Sequence, residues 1–409
     1  MSFINKIALN LKEELKPTKF DIQASSGTTG AVSDYFSTKV KTGSNWYPFG
    51  EFDNGPEYFE ELAENSAIHG AILKTKAAMI SGEGLLINGA ENLEESAIKR
   101  NTLTPQQKAE LKYIEENKLG GIELQNLYDS LAANYALTGA FAYLITWNKD
   151  FTKIASYKKV DIKNLRAVYI KGETKIKSYY YSDNGFYKAN IKDFKEYFIY
   201  DQKDREHFEQ IVYERDGFGS VYGTPSYKGG FDWILIDIEL GVFHKSNIKN
   251  GLNPGLHFKF YTEPESQEEK NFINKQIANT WMGALKTGRF VSTFSKNKEL
   301  ATDVVPIETS GLDKQLVNLT ELSDRKIISA HQLTTPLLAG VSTAGQLGGE
   351  TQLTTGFILW NNLIIKKMRQ RIDVSLQKHI FDINLKGVEI KINPFDPISE
   401  LIENQNKNI

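Results

Sequence analysis

The chain of 409 residues contains no cysteine. That absence removes disulfide scaffolds, thiolate zinc sites and cysteine nucleophiles together. Histidine is scarce: His69, His207, His244, His257, His331 and His379 are the six, and no two stand four apart as a helical zinc pair would. Each therefore reads as a surface or core residue, and neither a metal nor a cofactor is expected. No sign of charge dominates, because 49 Lys and Arg face 51 Asp and Glu for a net charge of −2. A free-standing nucleic-acid binder would carry a basic excess, so any DNA contact is expected to be local. Long apolar runs are also missing. The greasiest stretch, Phe231 to Phe243, is cut by Asp232, Asp237 and Glu239 and falls short of the roughly 20 residues of a membrane span. At the N-terminus, Lys6, Lys12, Glu13 and Glu14 interrupt what would be a signal core, so a cytoplasmic chain without membrane contact is expected.

At roughly 150 residues per domain, the length suggests two to three domains. Residues 1–49 mix a short amphipathic stretch with the Ser/Thr/Gly run Ala24 to Gly30, which suggests a flexible arm. From Pro56 to Ile80 the apolar spacing predicts a helix ended by Gly82, then a strand at Leu85–Ile87. Two more helices, Pro105 to Asn117 and Ile122 to Leu137, precede a strand over Gly139 to Trp147. Five short segments then suggest antiparallel strands, at 154–157, 165–170, 177–181, 197–200 and 211–213. Thr224-Pro225 reads as the start of an apolar helix that ends at Asn250-Gly251. A small unit follows over 255–308: a strand to Tyr261, a helix opened by the capping box Ser266-x-x-Glu269, and strands at 289–294 and 303–307. Leu312, Leu316, Leu319 and Leu322 mark a helix stopped near Thr335-Pro336. The loop Gly340 to Gly349 has four glycines in ten residues, and a long apolar stripe, Leu353 to Ile380, comes directly after it. A strand at 387–392 and a polar tail complete the chain.

No enzyme constellation stands out. The Gly340–Gly349 loop lacks the Lys-Ser/Thr of a phosphate-binding loop, and there is no G-x-S-x-G. Glu94/Glu95, Glu115/Glu116 and Glu268/Glu269 are neighbours on helices, where adjacent side chains do not face each other. The basic cluster Lys366, Lys367, Arg369, Arg371 and Lys378 reads as a solvated or inter-subunit flank rather than a phosphate contact. Lys245 and Lys249 sit near a helix end that points at the small 255–308 unit.

In their order, these segments resemble the portal proteins of tailed double-stranded DNA bacteriophages of the siphophage type. The carrying segments are Leu131 to Trp147 with Tyr157-Lys-Lys-Val-Asp161, Gly223-Thr-Pro225 through Asn250-Gly-Leu-Asn-Pro254, Ser266 to Gly288, and Asp313 through Thr335-Pro-Leu-Leu-Ala-Gly340. The resemblance covers about residues 56–382.

It implies an α+β subunit assembled into a ring: a flexible arm (1–49), an α/β wing (50–222), a stem helix (223–254) and a small α/β clip (255–308). A second stem helix (309–339), a tunnel loop (340–349), a long wing helix with a final wing strand (350–392) and a flexible tail (393–409) would follow. It further implies a non-enzymatic dodecamer at one capsid vertex, a channel for DNA packaging and ejection. Large terminase, major capsid protein, scaffold and a head-completion adaptor would be its partners, and the virion its location. Ser342, Thr343, Gly345, Gln346, Gly348 and Gly349 would face DNA from the tunnel loop, with Lys245 and Lys249 on the stem. Glu265, Glu268, Lys275 and Lys286 would belong to the clip docking surface. A loop without Lys or Arg could touch the duplex without gripping it, since each neutralised phosphate adds to a salt-dependent hold. Another ring-forming connector or baseplate protein, and a hydrolase, are the alternative readings.

Overall fold

The computed structural model describes residues 38–40, 44–173, 175–183, 185–186, 194–217, 221–249, 256–261, 264, 266–281, 290–295, 312–340 and 350–395. The single helix expected from Pro56 is two, α1 (Gly55–Asn65) and α2 (Ala67–Ser81). Ser66 makes the break. It is extended, its hydroxyl accepts from the His69 backbone N–H at 3.3 Å, and it donates to Asp237 Oδ2 at 2.6 Å. A serine that satisfies an orphan N–H in this way starts a new helix rather than continuing the old one. β1 (Leu85–Ile87), α3 (Leu93–Thr102), α4 (Pro105–Glu116) and α5 (Leu124–Thr138) follow.

The main sheet holds β2 (Ala140–Trp147), β3 (Ile154–Val160), β4 (Leu165–Ala167), β5 (Ser178–Tyr181), β6 (Lys195–Ile199) and β7 (Glu209–Arg215), in the order β3-β2-β7-β6-β5-β4. β2 is buried at every position but Thr146, as its unbroken apolar run requires of a strand covered on both faces. One pairing departs from the antiparallel expectation: β6 and β7 run parallel, with Phe198 opposite Gln210. Side-chain alternation gives a strand its faces but not its direction, so the pattern could not reveal this. Residues 44–49, counted with the arm by composition, join the sheet edge. Trp46 bridges Val168, Tyr47 N–H donates to Ala167 O at 2.9 Å, and Phe49 is buried.

Gly139, between α5 and β2, has φ +71°, and a Cβ there would lie 2.2 Å from the Thr224 carbonyl oxygen. Only glycine allows the two backbones to cross so closely. Beyond this crossing the expected helix starts late. The turn from Pro225 tightens into 3-10 geometry at Lys228–Gly230, and α6 runs from Phe231 to Lys249. β8 (Leu256–Phe260), α7 (Gln267–Trp281) and β9 (Phe290–Phe294) form a separate unit in which β8 and β9 pair in parallel, with α7 in the connection. The strand expected at 303–307 lies outside the described residues. α8 (Leu312–Ala330) returns, and a 3-10 turn at Pro336–Ala339 ends the segment.

Residues 350–384 form one long helix, α9, which changes pitch twice. π turns at Asn361–Ile365 and Gln377–Phe381 interrupt the α-helical Glu350–Trp360 and Lys366–Leu376. β10 (Ile390–Ile392) then pairs antiparallel with β1, tying the end of the chain to its first third. Trp360, Ile365, Ile372 and Leu376 of α9 are fully buried, in one core cluster with Leu127 and Tyr143.

Candidate functional site

α6 and α8 lie antiparallel. A Cβ at Gly230 would lie 2.5 Å from Ala330 Cβ, Ser323 Oγ donates to Trp233 O at 2.9 Å, and Lys326 Nζ sits 5.9 Å from the Trp233 ring. Phe231, Ile234, Ile238, Ile327 and Ile328 make their shared core. Farther along, the pair is bare: Val242 and Phe243 on α6, and Val317 and Leu322 on α8, are exposed. Among its described side chains, a helix apolar nearly all round thus has its buried positions up to Leu240 and is exposed from there to Lys245. Asp237 and Asp324 lie along the same pair, and burial, with Asp237 and Glu321 nearby, raises the Asp324 carboxyl above its usual range.

The residues expected to act are spread over several elements. Lys245 is exposed on the distal part of α6, and Lys249 is the last residue of that helix. Glu268 and Lys275 are exposed on α7, and Ser266 accepts from Glu269 N–H at 3.1 Å as the capping box requires. Ser342, Thr343, Gly345, Gln346, Gly348, Gly349, Glu265 and Lys286 lie outside the described residues. The basic flank of α9 needs correction. Arg369 is buried, its guanidinium donating to Met79 O at 2.6 Å, and Arg371 pairs with Asp216. Beside Arg369, burial pushes the Asp373 carboxyl up to about 6 while it accepts from Tyr128 OH at 3.2 Å and Ile392 N–H at 3.1 Å.

One cluster was not foreseen. His69 Nδ1 and His331 Nε2 are 2.8 Å apart, and Lys76 Nζ lies 3.5 Å from His331 Nδ1 and 3.3 Å from Ser226 Oγ. All three basic residues are fully buried, with the Tyr227 ring stacked on His331. The signal available in the sequence was the i, i+7 placement of His69 and Lys76 on the apolar face of α2. Burial and the Lys76 charge hold His69 down at about 3, burial holds Lys76 down at about 8, and His331 is well below its usual value.

The sign of the linkage follows. Below about pH 6.5 the unfolded chain takes up protons that folded His69 and His331 refuse, so stability falls with pH through that window. From His69 alone the loss between pH 7 and pH 5 is about 2 kcal/mol. Lys76 acts at the other end, where its penalty is relieved as pH rises from about 8 to about 10.5. Urea unfolding at pH 7 and pH 5 checks this: the midpoint should drop at pH 5, and substituting His69 by Gln should flatten the difference.

Among the described residues, no group of three or more His, Asp or Glu could hold a metal ion, and no helix is long and apolar enough to cross a membrane.

The fold is shared with chains of gene transfer agent particles. A chain of the native gene transfer agent virion shares it over 86% of this chain and 87% of its own, at TM-score 0.53 and 11% identity. A chain from the neck of the native gene transfer agent particle, computed with C12 symmetry, shares it over 86% and 88%, at TM-score 0.50 and 12% identity. In sequence the chain is similar to a "Probable portal protein" of Haemophilus phage HP1 (strain HP1c1), 28% identical over 160 residues. That match spans 38% of this chain and 44% of the relative, less than half of either. No protein-family model matches the sequence. The resemblance to phage portal proteins stated above therefore stands on a curated relative.

Proposed function

We propose that the protein is a portal-type connector subunit: copies close into a twelvefold ring at one capsid vertex, and DNA passes through the central channel during packaging and ejection. In this reading 50–222 and 350–392 are the wing, and α6 and α8 are the stem. Residues 255–308 form the clip that docks terminase and later the neck, and 340–349 is the loop facing DNA. The protein acts by assembly, without catalysis. Its major capsid protein and scaffold would surround the wing, and its host-cell stage would be cytoplasmic.

The antiparallel α6–α8 pair, bare on its distal apolar face, is the observation that carries this reading. In chain order it brackets the β8-α7-β9 unit, in a chain similar to a probable portal protein. A cyclic head-to-tail interface covers such a face on every copy and leaves none exposed. The twelvefold symmetry is taken from the gene transfer agent neck, whose chain has the same fold. A hydrolase would need convergent acid and base groups in a pocket. The open groove lined by Leu93, Arg100, Glu115 and Gln125 offers instead an Arg100 already paired with Glu115 at 2.5 Å.

Electron microscopy of the purified protein, with mass from light scattering, tests the proposal. Rings of twelve with a channel wide enough for duplex DNA are expected. Particles without a central channel would favour another connector or baseplate role.

A further inference from the structure

The His69–His331–Lys76 cluster joins three elements at the point where the chain leaves α8 for the 336–349 segment. His331 directly follows α8, His69 and Lys76 lie on α2, and Ser226 and Tyr227 belong to the turn before α6. Its hydrogen bonds have a direction that can be worked out from donors and acceptors alone. A charged Lys76 can only donate, so His331 Nδ1 must accept; His331 Nε2 then carries its proton and donates to His69 Nδ1. His69 is left with its proton on Nε2, a buried atom without a partner. The chain is complete with one charge in it.

A second proton has no place to go. On His331 it would put N–H against the Lys76 ammonium, and on His69 it would put N–H against N–H. Either way one link faces donor to donor and breaks.

Among the described residues, no carboxylate is bonded to the cluster to accept the excess. The charges acting on both histidines are those of Lys76 and, for His331, His69. Among the charged groups of the packed elements, Asp237 of α6 takes the Ser66 hydroxyl, Asp324 of α8 lies beside Asp237, and Lys326 lies over Trp233. Lys228 stands two residues past Ser226, and on α9 Arg369 is engaged with Met79 O and Asp373 with Tyr128 and Ile392. The turn Pro336–Ala339 carries no titratable side chain.

We propose that this cluster is a proton-sensitive latch: with one proton it pins the end of α8 to α2, and a second proton releases that end and the turn Pro336–Ala339 that follows it. If the ring reading holds, the released end is that of a stem helix, so the latch would act on the stem. Only that consequence rests on the ring; the latch itself belongs to the protomer.

Hydrogen exchange followed by mass spectrometry on the full-length protein, corrected for the intrinsic pH dependence of exchange, tests it. Between about pH 7.5 and pH 5, peptides over 325–340 and 67–80 should exchange at least about tenfold faster, while β2 and β7 stay protected. In Lys76→Met the donor facing His331 Nδ1 is gone, so one added proton is tolerated and 325–340 should stay protected at pH 5. His331→Gln removes one of the two titrating histidines, so the acceleration between about pH 7.5 and about pH 5 should shrink. The proposal is overturned if 325–340 exchanges alike at both pH values, if the whole chain opens together, or if Lys76→Met still opens like the parent. Light scattering on the same samples separates the two readings, because a monomer with a working latch would overturn the ring alone.

Discussion

Arg166→Ala should lower the unfolding free energy by about 3–5 kcal/mol, one of the largest effects of any single side chain outside the apolar core. The guanidinium is completely buried, at 0% exposure. Its Nε pairs with Asp53 Oδ1, Nη2 donates to Asp53 O at 2.7 Å, and Nη1 donates to Lys163 O at 3.0 Å and Leu165 O at 2.8 Å. The Phe186 ring lies 4.8 Å from Cζ. Alanine would leave three carbonyl oxygens short of donors and Asp53 without its counter-charge. Because unpaired buried groups keep their full desolvation cost, the loss exceeds what the pair contributed in net terms. Asp53 also accepts from Trp46 Nε1 at 2.9 Å and Phe49 N–H at 2.7 Å, so the strip 44–54 should come away from the sheet edge first. Lysine cannot rescue the site, since one ammonium does not reproduce a fork that reaches acceptors on both sides. Urea denaturation would show this as a large drop in midpoint for both variants. A loss below about 1 kcal/mol would mean that Asp53 is held by its backbone contacts alone.

The same residue shows where sequence reading stops. Leu165-Arg166-Ala167 reads as a strand by pattern, and it is one, but alternation places an arginine outward by default. That Arg166 is enclosed depends on the chain 44–54 folding back over β4, a contact across more than a hundred residues. The His69–His331 pair, 262 positions apart, was hidden for the same reason. What the sequence did convey was local. The glycine stop at Gly82, the box at Ser266 and the stripe from Leu353 to Ile380 each depend on neighbours within a few turns, and each is found where expected. The start of α6 lay between these cases. Thr224-Pro225 has the chemistry of a helix start, yet tertiary crossing at Gly139 and Gly230 turns the first residues into a tight turn and delays the helix to Phe231. Of the candidate site, order along the chain was legible, whereas the exposed apolar face on which the proposed stem rests emerged only once α6 and α8 were placed side by side.

That face supplies the other large effect. On the proposed ring reading, Val242→Glu with Phe243→Glu should abolish assembly while leaving the protomer folded. In the protomer these side chains are 55% and 40% exposed, so the carboxylates would be solvated and melting should shift little. At a closed interface they would be stripped of water without an opposing cation, at a cost on the order of 2–3 kcal/mol each. A ring magnifies this, because every subunit repeats the same interface and a single set of weakened contacts recurs around the whole circle. The expected result is a monomer mass by light scattering and no rings on the grid. Ile98→Glu is the matched control: Ile98 is 66% exposed, but it lies on α3, which packs beside β1 away from the stem pair. Rings that survive the double change on α6 but not the change on α3 would move the subunit contact to the outer part of the molecule. Rings that survive both would mean that the distal faces of α6 and α8 are covered by something other than a second copy.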